Sequence, residues 1–316
     1  MKKVFIDGSE GTTGLRIHQR LESRDDIELL KIDSEKRKDP EEIKKFIAES
    51  DITFLCLPDA AAREAVTLAE GTDTVILDTS TAHRTEPGWA YGFPELSTEH
   101  RKAVAGSRRI AVPGCHASGF IALVYPLIAG NILPRTYPLS AFSLTGYSGG
   151  GKKMIAQYEA EERDGELDSP REYALSQQHK HLKEMQAVCR LRRAPLFSPI
   201  VADYYSGMVV SVPLYGDMLN EQWSPEEAQA YFANYYAGEE LIRVMPFGSE
   251  EEHASFMAGN QMQGSDAMRI YATGNRERLL LTAVFDNLGK GASGAAVQCM
   301  NIVLGADETK GLDVIR

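Results

Sequence analysis

No stretch of the 316-residue chain reaches the roughly 18 consecutive apolar residues that a membrane-crossing helix needs, so no span is expected. Positive charge is in short supply. The 34 Lys and Arg are outnumbered by 45 Asp and Glu, for a formal net charge of −11. That balance argues against nucleic acid or an anionic membrane as the main partner, because both are bound chiefly through clustered cations. An anionic small molecule stays open, since a binding site is local. Cysteine is scarce as well. Cys56, Cys115, Cys189 and Cys299 are widely scattered, with no CxxC pair and no Cys/His spacing suited to zinc. No metal is expected, whereas reduced thiols in a cytoplasmic protein are. Residues 1–8 run straight into a strand pattern with no apolar signal core, which fits the same compartment. Internal repeats and low-complexity tracts are missing too.

What the chain does have begins at once. Residues 3–7 read as a buried parallel strand. Gly8, Ser9, Glu10, Gly11, Thr12, Thr13 and Gly14 follow, and residues 15–21 continue as an amphipathic helix. Glycines let a backbone turn tightly and approach a pyrophosphate, whose charge rests on the helix N-terminus. The spacing is GxxGxxG rather than GxGxxG, so the strand before it and the helix after it carry the reading. A second strand over 27–32 ends in Asp33, Ser34, Glu35, Lys36 and Arg37. Folds of this kind read the ribose at that point. Asp33 suits a free 2′-hydroxyl, as in NAD; Ser34, Lys36 and Arg37 suit a 2′-phosphate, as in NADP. The residues leave both open. A helix over 40–49, a strand over 52–57, a helix over 60–69 and a strand over 74–78 come next. Pro58 precedes the second of these helices, and Asp59 is its expected cap. Such alternation predicts a doubly wound parallel sheet, with ligands beyond the carboxyl ends of its strands. Residues 79–84 and 91–96 lie at that edge.

A strand pattern over 109–112 leads to Pro113, Gly114 and Cys115, and an apolar helix follows over 120–129. Cys115 therefore sits at the turn that opens a helix. The first N–H groups of a helix have no internal partner and carry partial positive charge. They favour a thiolate and suit the oxyanion of an attacked carbonyl. A buried core cysteine is the competing reading. Further on, a strand over 139–144 runs into a glycine-rich loop, 145–151, with Lys152 and Lys153 behind it. That loop suits phosphate or carboxylate but lacks the spacing of a triphosphate loop; a flexible connector is the alternative. Two histidines, His179 and His181, stand close before Glu184. His179 with Glu184 suits an acid/base residue and its orienting carboxylate, while the segment alone reads as a solvated polar helix. From residue 206 the pattern changes to strands over 208–214, 241–245, 268–273 and 278–285, with one helix over 224–236. This predicts an α+β domain with a mostly antiparallel sheet. A helix of small residues, after Asn287, runs to residue 304.

Taken together, these segments resemble the short form (type 2) of the N-acetyl-gamma-glutamyl-phosphate reductase family. The resemblance is carried by the Gly8/Gly11/Gly14 turn, residues 54–58 and 78–84, and Tyr91-Gly92-Phe93-Pro94-Glu95-Leu96. Pro113-Gly114-Cys115, residues 148–151, His179-Lys180-His181 and residues 287–292 complete it, so nearly the whole chain is covered. His116 follows the cysteine where longer members tend to have an aromatic residue. The resemblance implies a Rossmann-like domain, 1–114 with 287–316, and a catalytic and oligomerisation domain, 115–286. It implies NADPH-dependent reduction of an acyl phosphate through a Cys115 thioester, in arginine biosynthesis, by a homo-oligomer. By the same resemblance His179 is the acid/base, His181 the fallback and a substrate contact, and Glu184 the orienting carboxylate. Gly8, Ser9, Gly11, Thr12, Thr13, Gly14, Ser34, Lys36, Arg37, Pro58, Ser80, Ser148, Gly149 and Asn287 would hold NADP. Arg84 and Lys152 would meet the substrate. Two other readings are carried forward. One is an aspartate-semialdehyde dehydrogenase-like enzyme, although that group usually has asparagine where Gly114 stands. The other is a dinucleotide-sensing protein without turnover, which needs no reactive thiol.

Overall fold

The computed structural model describes residues 1–253 and 255–314. Contacts divide them into two units: Met1–Gly114 with Ala292–Leu312, and Cys115–Gly291 with the chain from Asp313. The sequence reading put the return to the first unit at Asn287. In the structure residues 287–291 belong to the second unit.

The first unit opens with β1 (Lys2–Asp7), α1 (Thr12–Leu21), β2 (Ile27–Leu30), α2 (Pro40–Glu49) and β3 (Ile52–Leu55). It continues through α3 (Asp59–Leu68), β4 (Val75–Asp78), β5 (Ala90–Tyr91), α4 (Thr98–Gly106) and β6 (Arg109–Ala111). The strands form one parallel sheet in the order β2-β1-β3-β4-β6-β5. A sheet covered on both faces needs apolar residues in succession, not in alternation with polar ones. Val4, Ile6, Phe54 and Leu77 enter one buried cluster; Phe5, Leu55 and Ile76, one residue out of step, enter the other. The chain leaves β1 for β2 on one side and places β3 on the other, so the carboxyl ends of β1 and β3 flank the switch point where such folds bind ligands. Two local expectations need correction. Helix α1 already begins at Thr12, so Thr12, Thr13 and Gly14 belong to its first turn. Asp59 does not cap α3. Pro58 holds the cap position, and Asp59 instead accepts hydrogen bonds from the amide and hydroxyl of Thr81.

The second unit contains α5 (Cys115–Ala129), β7 (Ser140–Gly146), α6 (Gly151–Tyr158), β8 (Arg171–Glu172), α7 (Leu182–Val188) and β9 (Leu196–Ala202). After these come β10 (Met208–Tyr215), α8 (Pro225–Tyr235), β11 (Ile242–Val244), β12 (Met268–Gly274) and β13 (Arg278–Phe285). Its sheet has the order β11-β12-β13-β10-β7-β9-β8. Strands β7 and β9, and β11 and β12, run parallel; the other neighbours are antiparallel. The sequence reading did not find β9. Pro199 lies inside it, and proline weakens a strand reading, yet β9 pairs along β7 from Ser140↔Leu196 to Gly146↔Ala202. Nor is 177–184 a solvated polar helix. The helix starts at Leu182, and His181 and Glu184 are buried. Helix α5 lies against one face of the sheet. A Cβ added at Gly119 would stand 2.6 Å from Val210 and 2.8 Å from Phe285, so a side chain there would hold the helix off β10 and β13. The opposite face leaves Phe142, Tyr215 and Leu280 exposed.

After a π-helical turn over Gly289–Ser293, the last helix, α9 (Gly294–Leu304), returns to the first unit. Ala295, Ala296, Val297, Cys299 and Met300 share a buried cluster with Val4, Ile17 and Ile110. Arg24 ties the ends together, donating to Asn301 at 2.6 Å and to the Lys310 carbonyl at 3.1 Å. Among the described residues no helix is long and apolar enough to cross a membrane.

Candidate active site

In the first unit the glycine turn is built for close backbone approach. Gly8 has φ +82°, and a Cβ there would lie 2.4 Å from the Cys56 carbonyl oxygen. A Cβ on Gly14 would lie 2.3 Å from the Gly8 oxygen. The Gly11 amide closes the turn on Gly8 at 3.0 Å. Gly11 is also the cap residue of α1 and offers no side-chain acceptor, which leaves the first amides of α1, from Thr12 and Thr13, to an outside anion. The donor set fits a pyrophosphate. Asp7, at the carboxyl end of β1, has its carboxyl pushed up to about 6 by burial, against a hydrogen bond from the Gly8 backbone. Beyond β2, Asp33 accepts from the Glu35 amide at 3.0 Å. Arg37 pairs with Glu10 of the glycine turn, and Lys36 with Glu42 at 3.4 Å.

At the carboxyl edge of the same sheet, Asp78 ends β4. It accepts from the Ser80 amide at 2.9 Å and the Ser80 hydroxyl at 2.6 Å, and its Oδ2 lies 2.7 Å from His83 Nδ1. The His83 ring stacks on Trp89 at 4.2 Å. The Ser80 hydroxyl also accepts from the Ala82 amide, so its bonds within the loop use both its proton and an acceptor site. Arg84 is held on backbone carbonyls, donating to Val112 at 2.9 Å and to Thr79 at 3.0 Å. A guanidinium has five N–H donors in a fixed fork, so two anchors fix its plane.

In the second unit Cys115 is the first residue of α5 and is half-buried. Burial pushes the Cys56 thiol up to about 12 and the Cys189 thiol well above its ordinary value, which favours the neutral thiol at both. Rings crowd around the start of α5. His116 lies 5.4 Å from His179, 5.5 Å from His181 and 5.3 Å from Phe197, centroid to centroid. His179 and His181 stand 4.7 Å apart, and Tyr173 is 5.9 Å from His179. Strand β9 supplies Phe197. The loop that carries the histidines is clamped to it by Gln177, whose amide group donates to the Phe197 carbonyl and accepts from its N–H, each at 2.9 Å. The His181 amide donates to His179 Nδ1 at 3.1 Å. In the neutral ring this puts the proton of His179 on Nε2. His181 caps α7, and Glu184 lies in the first turn. Burial, with the charges of His179 and Lys180, brings His116 down to about 3.

The remaining expected residues cluster in the same unit. Asn287 donates to Ser148 Oγ at 3.0 Å and accepts from the Gly207 amide at 2.8 Å; Gly149 lies beside it. Lys152 and Lys153 are exposed in the first turn of α6. Gly291 abuts the nucleophile: a Cβ there would stand 2.9 Å from Cys115 Cβ and 3.2 Å from the Asp286 oxygen. Ser143, Tyr173 and Phe197 escaped the sequence reading. Ser143 lies in β7, Phe197 in β9 and Tyr173 directly after β8, and no motif marks them.

Comparison with known proteins bears on the family and the fold. Residues 3–104 match the family model for the semialdehyde dehydrogenase NAD binding domain, and residues 115–287 that for the semialdehyde dehydrogenase dimerisation domain. A relative from Nostoc sp., named N-acetyl-gamma-glutamyl-phosphate reductase 2, is 44% identical over 98% of this chain and 99% of its own. One from Chelativorans sp., named N-acetyl-gamma-glutamyl-phosphate reductase, is 45% identical over 96% of this chain and 98% of its own. The structure of aspartate semialdehyde dehydrogenase from Francisella tularensis has a TM-score of 0.74 over 96% of this chain and all of that one, at 13% identity, a likeness of fold.

Proposed function

The chain belongs to the N-acetyl-gamma-glutamyl-phosphate reductase family, and from that premise we propose that it reduces N-acetyl-gamma-glutamyl phosphate to N-acetylglutamate 5-semialdehyde, with release of phosphate. The observation that carries the reading is a half-buried cysteine opening a helix whose second residue, His116, lies against the rings of His179 and His181. Cys115 sulfur attacks the acyl carbon, the bond to the phosphate oxygen breaks, and a thioester remains on the enzyme. A bound reduced nicotinamide supplies the hydride that takes the acyl group to the aldehyde level. Collapse of the tetrahedral carbon then returns the Cys115 thiolate and frees the aldehyde. His179, with its proton on Nε2, is the acid/base for the oxygen and sulfur in these steps. Helix α5 contributes its first amides toward the oxyanion. His181 contacts the substrate and Glu184 orients the imidazole of the acid/base. Arg84 and Lys152 supply cations for phosphate and carboxylate.

The glycine turn, with Gly8, Ser9, Gly11, Thr12, Thr13 and Gly14, would hold the pyrophosphate, and Pro58 and Ser80 would border it. Ser148, Gly149 and Asn287 would border the nicotinamide. NADP is favoured over NAD. Asp33 spends its carboxylate on its own turn, and Arg37 already holds a carboxylate where a 2′-phosphate with Ser34 and Lys36 would bind. The exposed Phe142, Tyr215 and Leu280 face, in the part that matches the dimerisation domain, suits a second copy of the chain. Free thiols throughout fit a cytoplasmic setting.

The test is the reverse reaction. N-acetylglutamate semialdehyde should reduce NADP in the presence of phosphate. Faster turnover of aspartate semialdehyde, or of NAD, would overturn the substrate or the cofactor assignment.

A further inference from the structure

His116 follows Cys115 directly, is 3% exposed, and touches a polar group at each nitrogen. Nδ1 lies 2.6 Å from the Ser143 hydroxyl, and Nε2 lies 2.7 Å from the Tyr173 hydroxyl. The directions of these two bonds follow from counting protons. A neutral imidazole has one N–H and one acceptor nitrogen. Ser143 is fully buried, and among the described residues its hydroxyl meets only His116. If His116 donated to Ser143, the serine's own proton would be buried with no acceptor, the costly arrangement for a hydroxyl away from water. Ser143 therefore donates to Nδ1. The imidazole proton then sits on Nε2 and is donated to Tyr173. The Tyr173 oxygen accepts that bond, and its own proton is left to give. Three groups in a row thus point their protons one way, and each bond polarises the next. The row runs through His116, the residue next to the nucleophile, and ends at Tyr173.

We propose that Tyr173 is a further catalytic residue, its hydroxyl donating to the oxygen of the acyl group held on Cys115, with His116 and Ser143 as positioning residues that fix the direction of that proton. This rests on the acyl-phosphate reductase reading. Burial and the nearby Cys115 sulfur push the Tyr173 hydroxyl above its ordinary value, so it stays a neutral donor through the working range of pH. His116, brought down to about 3, stays neutral as well. A donor aimed before the charge develops costs no reorganisation when it does.

Steady-state kinetics with N-acetylglutamate semialdehyde, phosphate and NADP would be measured for the wild type, Tyr173→Phe, Ser143→Ala and the double variant. The 15N spectrum of the His116 ring, assigned by its loss in His116→Gln, reports the tautomer. The wild type should show the Nε2–H form. Tyr173→Phe should lower kcat by about 10²-fold, the loss typical of one oxyanion donor, with KM within about threefold. Ser143→Ala should mix the tautomers and lower kcat by less. Because Ser143 acts through Tyr173, the double variant should be no slower than Tyr173→Phe alone; a merely structural serine would give multiplied losses. An Nδ1–H wild type, a Tyr173→Phe enzyme within twofold of wild type, or multiplied losses would each overturn the proposal. Absence of turnover in the wild type would instead overturn the reductase reading, and the tautomer would still decide whether the row runs as described.

Discussion

Acid should destabilise this protein through His116 in a way that can be isolated. The ring is buried and its pKa is about 3, with burial the main cause. In the unfolded chain the same group titrates near 6.5. Between these values the unfolded state binds the proton and the folded state does not, so stability falls as pH falls. The contribution is complete above about pH 6.5 and is lost progressively toward about pH 3. At pH 4.5 the loss covers two pH units, or about 3 kcal/mol at roughly 1.4 kcal/mol per unit. Asp7 works in the opposite direction. Its carboxyl, raised to about 6, takes up its proton first in the folded state. That effect is common to wild type and variant and cancels in their difference. The assay is urea unfolding followed by circular dichroism, on wild type and His116→Gln, at pH 7.5 and pH 4.5. The stability difference between the two proteins should move in favour of the variant by about 2–3 kcal/mol on acidification. If both lose stability in parallel, His116 is either not buried neutral or not the group that matters.

Other changes should act on catalysis with the fold kept. Cys115→Ser should abolish aldehyde formation while NADPH binding, by fluorescence titration, stays within a few-fold; turnover above a few per cent would remove Cys115 from its role. His179→Asn should slow turnover by roughly 10²–10⁴-fold, and a larger loss in His181→Asn would exchange the two assignments. Gly291→Ala should push Cys115 aside, since its Cβ would stand 2.9 Å from that of the cysteine. Displacements of this order cost up to about 10²-fold in rate, read as a fall in kcat and slower alkylation of Cys115 by iodoacetamide, with a lowered melting temperature because the added methyl overpacks a buried site.

Much of this molecule was written locally. Apolar runs broken by glycine turns, as at residues 3–14, encode parallel strands and their following helices because each strand is covered on both faces. Cys115 at a helix start was legible for the same reason: a strand, Pro-Gly, and an apolar run can hardly be arranged otherwise. The misses have local causes too. Asp59 looked like a cap because caps are the usual use of such a residue, but Thr81, 22 positions away, claims it. Strand β9 carries Pro199, which weakens a local strand pattern, and only its pairing along β7 establishes it.

The chemistry around Cys115 could not be read in the same way. His116 seemed only a change of residue type after the nucleophile, and nothing near Ser143 or Tyr173 marked either one. Pairing of β7 with β9, and the Gln177 clamp, bring those side chains to one imidazole from stretches 27 and 57 residues distant. Sequence determined which segments form and which thiol opens a helix, because backbone preference and side-chain period act over a few residues. Tertiary structure alone decided which way a buried proton points, because that depends on who the far neighbours are once water has been removed.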